Sequence, residues 1–255
     1  MPSRWGWFCG LNQDPYQTGS VALYGEWAHA ETELMLSFVP KGATCLDVGA
    51  NVGNVSMALA HAVGDQGRVI AFEPQQFAYS CLMANIALNS LIHVVEPFMC
   101  AVGKESGTVN VPKFKLDGQV NNVGGMSLKD DREKGDDVPL ITIDSLNLGR
   151  CDLIKADVEG MEAEVLEGAA NTVKKFMPVI WAEQLDFRTG TREAMVDFFK
   201  RFKYQAWKIA TPLWIPDNAR LESANMFKEQ ADTNILALPF DKEAPDWTAQ
   251  AEKLL

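Results

Sequence analysis

The chain has 255 residues, of which 47% are hydrophobic and 22% charged, and its formal net charge is −11 at pH 7. This composition is typical of a globular protein, and the acidic balance argues against a protein that neutralises nucleic-acid phosphates. No stretch approaches the roughly 18 consecutive apolar residues that a spanning helix needs, so we expect no membrane partner.

The five cysteines are scattered and form no CxxC pair: Cys9, Cys45, Cys81, Cys100 and Cys151. An odd number of separated cysteines, several of them in apolar runs, favours buried free thiols over a disulfide framework. The first 20 residues lack the apolar core of a secretory signal. We therefore expect a cytoplasmic protein.

Apolar runs alternate with helical patterns after a lead-in of about 20 residues. In chain order, the sequence predicts a helix over 31–39, a strand over 44–48, a helix over 53–64, a strand over 68–74, a helix over 76–90 and a strand over 93–103. This alternation predicts a mostly parallel, doubly wound sheet with helices on both faces.

Residues 104–145 have a different character, because two short β-like pieces flank a Gly- and Asn-rich stretch. We interpret them as a β-rich insert over the sheet. The alternation then resumes, with predicted strands at 151–158, 178–184, 204–210 and 234–239 and predicted helices at 161–176 and 191–202. The sequence thus predicts an α/β fold of about seven strands, with one domain over 21–240 and a tail over 241–255.

The segment CLDVGANVGN, residues 45–54, joins the first predicted strand to a helix. Asp47 ends the strand, where ligands of doubly wound sheets bind. Gly49 and Gly53 allow the backbone to approach a ligand closely, and Asn51 is the residue type that next best tolerates a left-handed conformation. The segment therefore predicts a ligand-binding loop.

An acid at the end of the second strand indicates which ligand the loop binds. Glu73 follows Asp47 by 26 residues and is placed to accept hydrogen bonds from ribose hydroxyls. The G-x-x-x-G spacing differs from the dinucleotide fingerprint, and Asp47 would repel a pyrophosphate. A cofactor with an amino group and a sulfonium fits better, so we predict S-adenosylmethionine. Ala101, at the end of the third apolar run, completes the predicted cofactor contacts.

Several landmarks in order resemble the FkbM family of S-adenosylmethionine-dependent methyltransferases: YGEWAHAE, LDVGANVGNVSMALA, VIAFEPQ, NNVGGMSL, TIDSL, LIKADVEGMEAEVLEGA and NILALP. The resemblance covers about residues 24 to 238. It implies the Rossmann-like seven-stranded methyltransferase fold and methylation of a hydroxyl oxygen on a sugar or another small metabolite. The family's usual KIDVEGAE is KADVEGME here, so Ala156 and Met161 depart from the pattern.

The catalytic candidates are carboxylates, because an alcohol acceptor needs a base to take its proton. Asp157 ends the fourth main strand, Glu159 follows it, and Glu183 ends the next strand. These three acids are expected to face one cleft, where they tune one another's pKa values or bind a divalent cation. We assign no metal site from the sequence. Lys155 is expected to pair with one of the acids.

Weaker signals concern the surroundings of this cleft. His29 is the one histidine expected near the cofactor. Glu26 or Glu31 could reach the amino group of the cofactor, while Tyr24 and Trp27 are interpreted as core residues. The stretch NNVGG, residues 121–125, suits either a lid over a polyol-like acceptor or an ordinary turn.

Alternative functions remain open on the sequence alone. The same fold serves nucleic-acid methyltransferases, although the acidic balance and the lack of a basic patch count against that function. A non-catalytic adenosyl-binding module would have the loop but no acceptor cleft, and a nicotinamide-dependent oxidoreductase fits least. We expect a small hydroxylated substrate or glycan as partner.

Overall fold

The computed structural model describes residues 1–12, 14–113, 135–184 and 190–255. The stretch at residues 121–125, interpreted above as either a lid or an ordinary turn, lies outside the described residues. Strands in the described residues are β1 (Pro2–Ser3), β2 (Gly6–Trp7), β3 (Thr44–Val48), β4 (Arg68–Phe72), β5 (Val95–Phe98), β6 (Ala101–Val102), β7 (Gly107–Val111), β8 (Asp136–Ile141), β9 (Leu153–Ala156), β10 (Val179–Glu183), β11 (Tyr204–Pro212), β12 (Ala231–Pro239) and β13 (Glu252–Lys253). Helices are α1 (Gln17–Tyr24), α2 (His29–Leu36), α3 (Asn54–Val63), α4 (Gln76–Leu88), α5 (Glu162–Glu167), α6 (Ala170–Phe176) and α7 (Thr191–Arg201), with short 3₁₀ helices at Ile143–Leu146 and Asp246–Gln250.

The main sheet has eight strands in the order β13–β11–β12–β10–β9–β3–β4–β5. Strands β5, β4, β3, β9 and β10 are parallel, whereas β12 runs antiparallel to both β10 and β11. This mostly parallel α/β sheet confirms the predicted fold class. The eighth strand, β13, consists of two residues of the segment that the sequence indicated as a tail. These two residues pair antiparallel with β11 at the edge of the sheet.

Helices cover both faces of this sheet, because its central strands are apolar on both sides. One core joins the sheet to α2, α3 and α4 through residues such as Met35, Leu59 and Leu82. The other joins it to α5, α6 and α7 through residues such as Leu166 and Phe199. Consecutive strand residues alternate between the two cores, as a pleated strand requires. The face that carries Cys45 therefore also carries Asp47.

The predicted β-rich insert forms a second small sheet in its described part. Strand β8 pairs antiparallel with β7 and parallel with β6, in the order β6–β8–β7. The sheet thus begins at Ala101, directly after the edge of the main sheet, and the described end of β7 brings Val111 and Pro112 to the rim of the fold.

The helix predicted over 161–176 is two helices, so this prediction is wrong. Helix α5 ends at Glu167 and α6 begins at Ala170. The break lies at Gly168, where an added Cβ would lie 2.0 Å from the carbonyl oxygen of Gly103. The chain therefore bends at the point where it meets the first turn of the insert, a tertiary contact that helical periodicity does not reveal.

The state of the cysteines and the hydropathy of the helices can be compared with the sequence expectations. All five cysteines are free, and all except Cys9 are buried. In the described part of the chain, none of the helices combines the length and the hydropathy that crossing a membrane requires.

Candidate active site

The carboxyl ends of the parallel strands border a cavity of about 290 Å³. Seven of the nine predicted site residues line it: Gly49, Asn51, Glu73, Ala101, Asp157, Glu159 and Glu183. They come from four strand ends and from the start of the small sheet. The fold therefore brings the predicted cofactor loop and the predicted catalytic acids to one hollow.

The loop after β3 is held tightly against its neighbours. The backbone N–H groups of Gly49 and Ala50 both donate to the carbonyl oxygen of Phe72, at 3.0 and 2.9 Å. Gly49 has φ of +80°, and a Cβ there would lie 1.8 Å from the carbonyl oxygen of Asp157. Asn51 also has positive φ, at +50°. The glycine is needed because the loop crosses directly over the end of β9.

Glu73 lies at the edge of this loop with its carboxylate bound to backbone. Its Oε2 accepts from the N–H of Asn51 and its Oε1 from the N–H of Gln75, each at 2.8 Å. Burial raises the pKa of Glu73 to about 7, although these two hydrogen bonds lower it. The carboxylate therefore orders the loop and still lines the cavity.

Asp47 and Gly53 are not among the described residues that line the cavity. The side chain of Asp47 is fully buried and points to the α3 face of the sheet, where the hydroxyl of Ser56 donates to its Oδ2 at 2.6 Å. A Cβ at Gly53 would lie 2.6 Å from Leu82, so this glycine permits α3 to pack on α4. The expectation that Asp47 contacts the ligand directly is thus wrong. The alternation of side chains along β3 places the Asp47 side chain beneath the loop and outside the cavity.

Three predicted acids lie close together in the lining of the cavity. Asp157, Glu159 and Glu183 each offer an oxygen within 4.8 Å of the others. Such a set of carboxylate oxygens suits a hard divalent cation, and it equally suits proton sharing. Glu159 has φ of +54°, a strained conformation for a non-glycine residue. Buried Glu162 supports this loop, since its Oε1 accepts from the N–H groups of Val158 and Gly160.

The pKa of Glu183 is far from that of an ordinary carboxyl group. Burial, together with Asp157, Glu159 and Glu162, raises the pKa of Glu183 to about 11. Glu183 is therefore neutral at pH 7 and can donate a proton in a hydrogen bond. The Asp157 side chain is 42% exposed and forms an ion pair with Lys155, with 3.3 Å between Oδ2 and Nζ. This contact confirms the predicted pairing of Lys155 with one of the acids.

The structure adds two acids to the cavity, of which sequence reasoning considered only one. Glu31 on α2 accepts from the indole N–H of Trp181 at 2.9 Å, and Asp232 on β12 lies close enough to affect its pKa. Burial and Asp232 raise the pKa of Glu31 to about 8, and burial and Asp157 raise that of Asp232 to about 7. Asp232 was missed because β12 is antiparallel, which brings its first residues to the rim formed by the last residues of its neighbours. The polar run Asp-Thr-Asn at 232–234, just before the apolar part of β12, is the signal that could have indicated it.

The remaining wall comes from the lead-in and the loop before β12. Trp27 lines the cavity and packs edge-on against Phe227, with 5.8 Å between ring centroids, whereas Tyr24 is core as predicted. Glu26 is bound to Arg4 at 2.6 Å and does not line the cavity. His29 does not line it either, because its ring packs on Trp5 beneath α2. The expected role of His29 near a cofactor is therefore not supported.

The raised pKa values of the buried acids indicate that the free energy of unfolding decreases as pH rises. The folded-state pKa values of Glu31, Glu73 and Asp232 are above their ordinary values, so the folded protein binds more protons than the unfolded chain near neutral pH. The stabilisation from these protonated groups is complete below pH of about 4 and is lost as pH rises through 7 to 8. We expect the melting temperature of the protein to fall between pH 6 and pH 9.

Replacing Glu31 with Gln tests this pH dependence by calorimetry. Glu31→Gln cannot ionise, so at pH 9 we expect it to melt about 2 to 6 °C above the wild type, and its pH dependence to be weaker. Glu33→Gln, on the exposed side of the same helix, is the matched control and should follow the wild type. Equal pH dependence in all three proteins would contradict the assignment.

The sequence of this chain is similar to those of known methyltransferases. The family model described as the Methyltransferase FkbM domain matches residues 47–206. Methyltransferase sdnD of Sordaria araneosa is 30% identical over 160 residues, which are 51% of this chain and 61% of that protein. The chain therefore matches less than two thirds of this relative's length.

Solved structures of similar fold are more distant in sequence. The FkbM methyltransferase from Methylobacillus flagellatus KT superposes with a TM-score of 0.52 at 17% identity, over 77% of this chain and 44% of that one. An O-methyltransferase from Bacillus cereus, crystallised with SAH, has a TM-score of 0.47 at 15% identity, over 90% of this chain and 84% of that one. The first of these likenesses supports the fold alone.

Proposed function

Since the chain belongs to the FkbM family of methyltransferases, we propose that it is an S-adenosylmethionine-dependent O-methyltransferase acting on a hydroxyl of a sugar or another small metabolite. The observation that carries this proposal is the single cavity lined by both the glycine loop after β3 and the acids that follow β9 and β10. A cofactor site and a proton-accepting site are thereby adjacent, as methyl transfer to an alcohol requires.

The chemistry of the loop side fits an adenosyl cofactor. Gly49 keeps the backbone free of a side chain, and Glu73 offers carboxylate oxygens at the cavity edge. Asn54 lines the same side and is 2% exposed, and its buried Oδ1 has no hydrogen-bond partner within the described structure. Such an acceptor favours a ligand that donates, for example through an amino group. Cys100 and Ala101 supply an apolar wall suited to an adenine ring.

The acceptor side fits the removal of a hydroxyl proton. The cofactor, when bound, supplies an electrophilic methyl group. Asp157 is the carboxylate that we propose takes the proton of the acceptor hydroxyl as its oxygen attacks, so that the hydroxyl O–H bond breaks and a carboxyl O–H bond forms. Neutral Glu183 can donate a hydrogen bond to Asp157 and so orient its carboxylate. Trp27 and Leu213 reduce the access of water.

A small acceptor is favoured over a nucleic acid. The cavity volume of about 290 Å³ is at the lower end of the range for small-molecule sites. Lys155 is the one basic residue among the described residues that line it, and the chain as a whole carries −11, so the site offers little positive charge to bind phosphates. The cluster of Asp157, Glu159 and Glu183 in the cavity lining also favours an enzyme over a silent adenosyl-binding module.

Binding of S-adenosylhomocysteine tests the proposed function without a known acceptor. We expect the wild type to bind it saturably in calorimetry and Glu73→Gln to bind it at least tenfold more weakly. Glutamine replaces one of the two accepting oxygens by an NH2 donor, which weakens both the anchoring of the loop and the acceptance of hydrogen bonds from a ribose. A tenfold loss corresponds to about 1.4 kcal/mol. Glu105→Gln, an exposed change in the insert, is the control and should bind as the wild type. No binding by the wild type would reject the proposal.

A further inference from the structure

Lys155 is the only lysine or arginine among the described residues that line the cavity, beside six acids. It lies on β9 and is 4% exposed. Lysine is rarely buried to this extent unless its charge is paired, so the partners of its ammonium group indicate its role.

The ammonium group of Lys155 contacts three oxygens from different parts of the site. Its Nζ lies 2.9 Å from the carbonyl oxygen of Gly49, 3.1 Å from Oδ1 of Asp47 and 3.3 Å from Oδ2 of Asp157. The contact to Gly49 is a hydrogen bond, and the contacts to the two carboxylates are ion pairs that compensate the buried charge. One side chain thus joins a strand, the loop that follows it and the end of the next strand in the sheet.

Asp47 fixes the position of Lys155 from below. The two residues are directly opposite in the parallel pair β3–β9, and Asp47 is fully buried with its other oxygen bound to Ser56 on α3. Burial lowers the pKa of Lys155, but Asp47 and Asp157 outweigh this effect and raise it above its usual value. The lysine therefore remains charged in the sheet, where its contacts connect β3, the loop at Gly49 and Asp157.

We propose that Lys155 is a positioning residue that holds the loop at Gly49 and the carboxylate of Asp157 in a fixed mutual geometry. This inference rests on the proposed function, because the loop and Asp157 are assigned to the cofactor and the acceptor respectively. A displacement of about 1 Å between reacting groups can lower the rate about a hundredfold, so contacts that fix this geometry favour catalysis.

Two variants that differ only at residue 155 test this role. Lys155→Met alone leaves Asp47 buried without its partner, and such a protein could fail to fold. Asp47→Asn and Asp47→Asn/Lys155→Met avoid this problem, since the second has lost both charges of the pair. The probes are S-adenosylhomocysteine binding by calorimetry, melting temperature, and hydrogen exchange of residues 49–52.

We expect the double variant to bind S-adenosylhomocysteine about tenfold more weakly than Asp47→Asn and to exchange the amides of residues 49–52 faster, at melting temperatures within about 3 °C. Once an acceptor is known, kcat should also fall more between the two variants than KM rises. A difference in affinity of threefold or more supports the positioning role. A smaller difference overturns it and leaves Lys155 as the charge partner of Asp47 only.

The experiment separates this inference from the proposed function. Absence of binding by the wild type rejects the proposed function, whereas binding by the wild type with equal affinities in the two variants rejects only the role of Lys155. If circular dichroism shows the double variant to be unfolded, the single variant Lys155→Gln is measured in its place. The glutamine amide can still donate a hydrogen bond to Asp47, but this side chain is uncharged and shorter than lysine. The same threefold criterion then applies against the wild type.

Discussion

Asp157→Asn is expected to lower the turnover number of methyl transfer by about a hundredfold or more, the range found when a general base is removed. Asparagine has almost the same shape as aspartate and accepts no proton at neutral pH, so the change removes the base while keeping the packing. The measurement is formation of S-adenosylhomocysteine from S-adenosylmethionine, with an acceptor found by a mass-spectrometric screen for products heavier by one methylene group. Asp65→Asn, a change at an exposed residue that pairs with His93, is the control.

Glu183→Gln distinguishes the roles of the two neighbouring acids. Because the pKa of Glu183 is raised to about 11, the residue is already neutral at pH 7, and glutamine keeps both its shape and a hydrogen-bond donor. We expect this variant to lose less than about tenfold in turnover, since no general base is removed. A loss as large as that of Asp157→Asn would instead make Glu183 the ionised base. Prior dialysis against a chelator shows whether either loss depends on a divalent cation held by the acids.

Gly49→Ala is expected to destabilise the protein by more than about 3 kcal/mol and to lower its melting temperature by roughly 10 °C. Two causes add. Alanine is strained at φ of +80°, and its Cβ would lie 1.8 Å from the backbone oxygen of Asp157, which cannot move without shifting the end of β9. Thermal unfolding of the ligand-free protein measures this effect independently of binding.

Gly107→Ala is the matched control for the glycine in the loop. Its φ is not positive, and an added Cβ would have no atom within 4 Å. We expect a change within about 1 kcal/mol, because surface substitutions without a clash are usually small. If both variants melted alike, the loop after β3 would not cross β9 as closely as the structure indicates.

Much of the fold followed from local sequence patterns. The helix beginning after Gly53 and ending at Gly64 and the strand over 44–48 are found where periodicity and glycine positions predicted them. Such features depend on neighbours in the chain, so a sequence reports them directly. The break at Gly168 and the edge strand β13 were not predicted because each depends on a residue distant in sequence.

The sequence by itself determined the family, the α/β class and the strand ends that carry acids, since motif spacing and hydrophobic periodicity are local properties of the chain. Only the tertiary structure decided what each acid faces. Strand alternation turned Asp47 beneath the loop, parallel register placed it opposite Lys155, and the antiparallel direction of β12 brought Asp232 to the cavity. Direction, register and burial are set by contacts between distant segments, and through desolvation they also set the charge of Glu183.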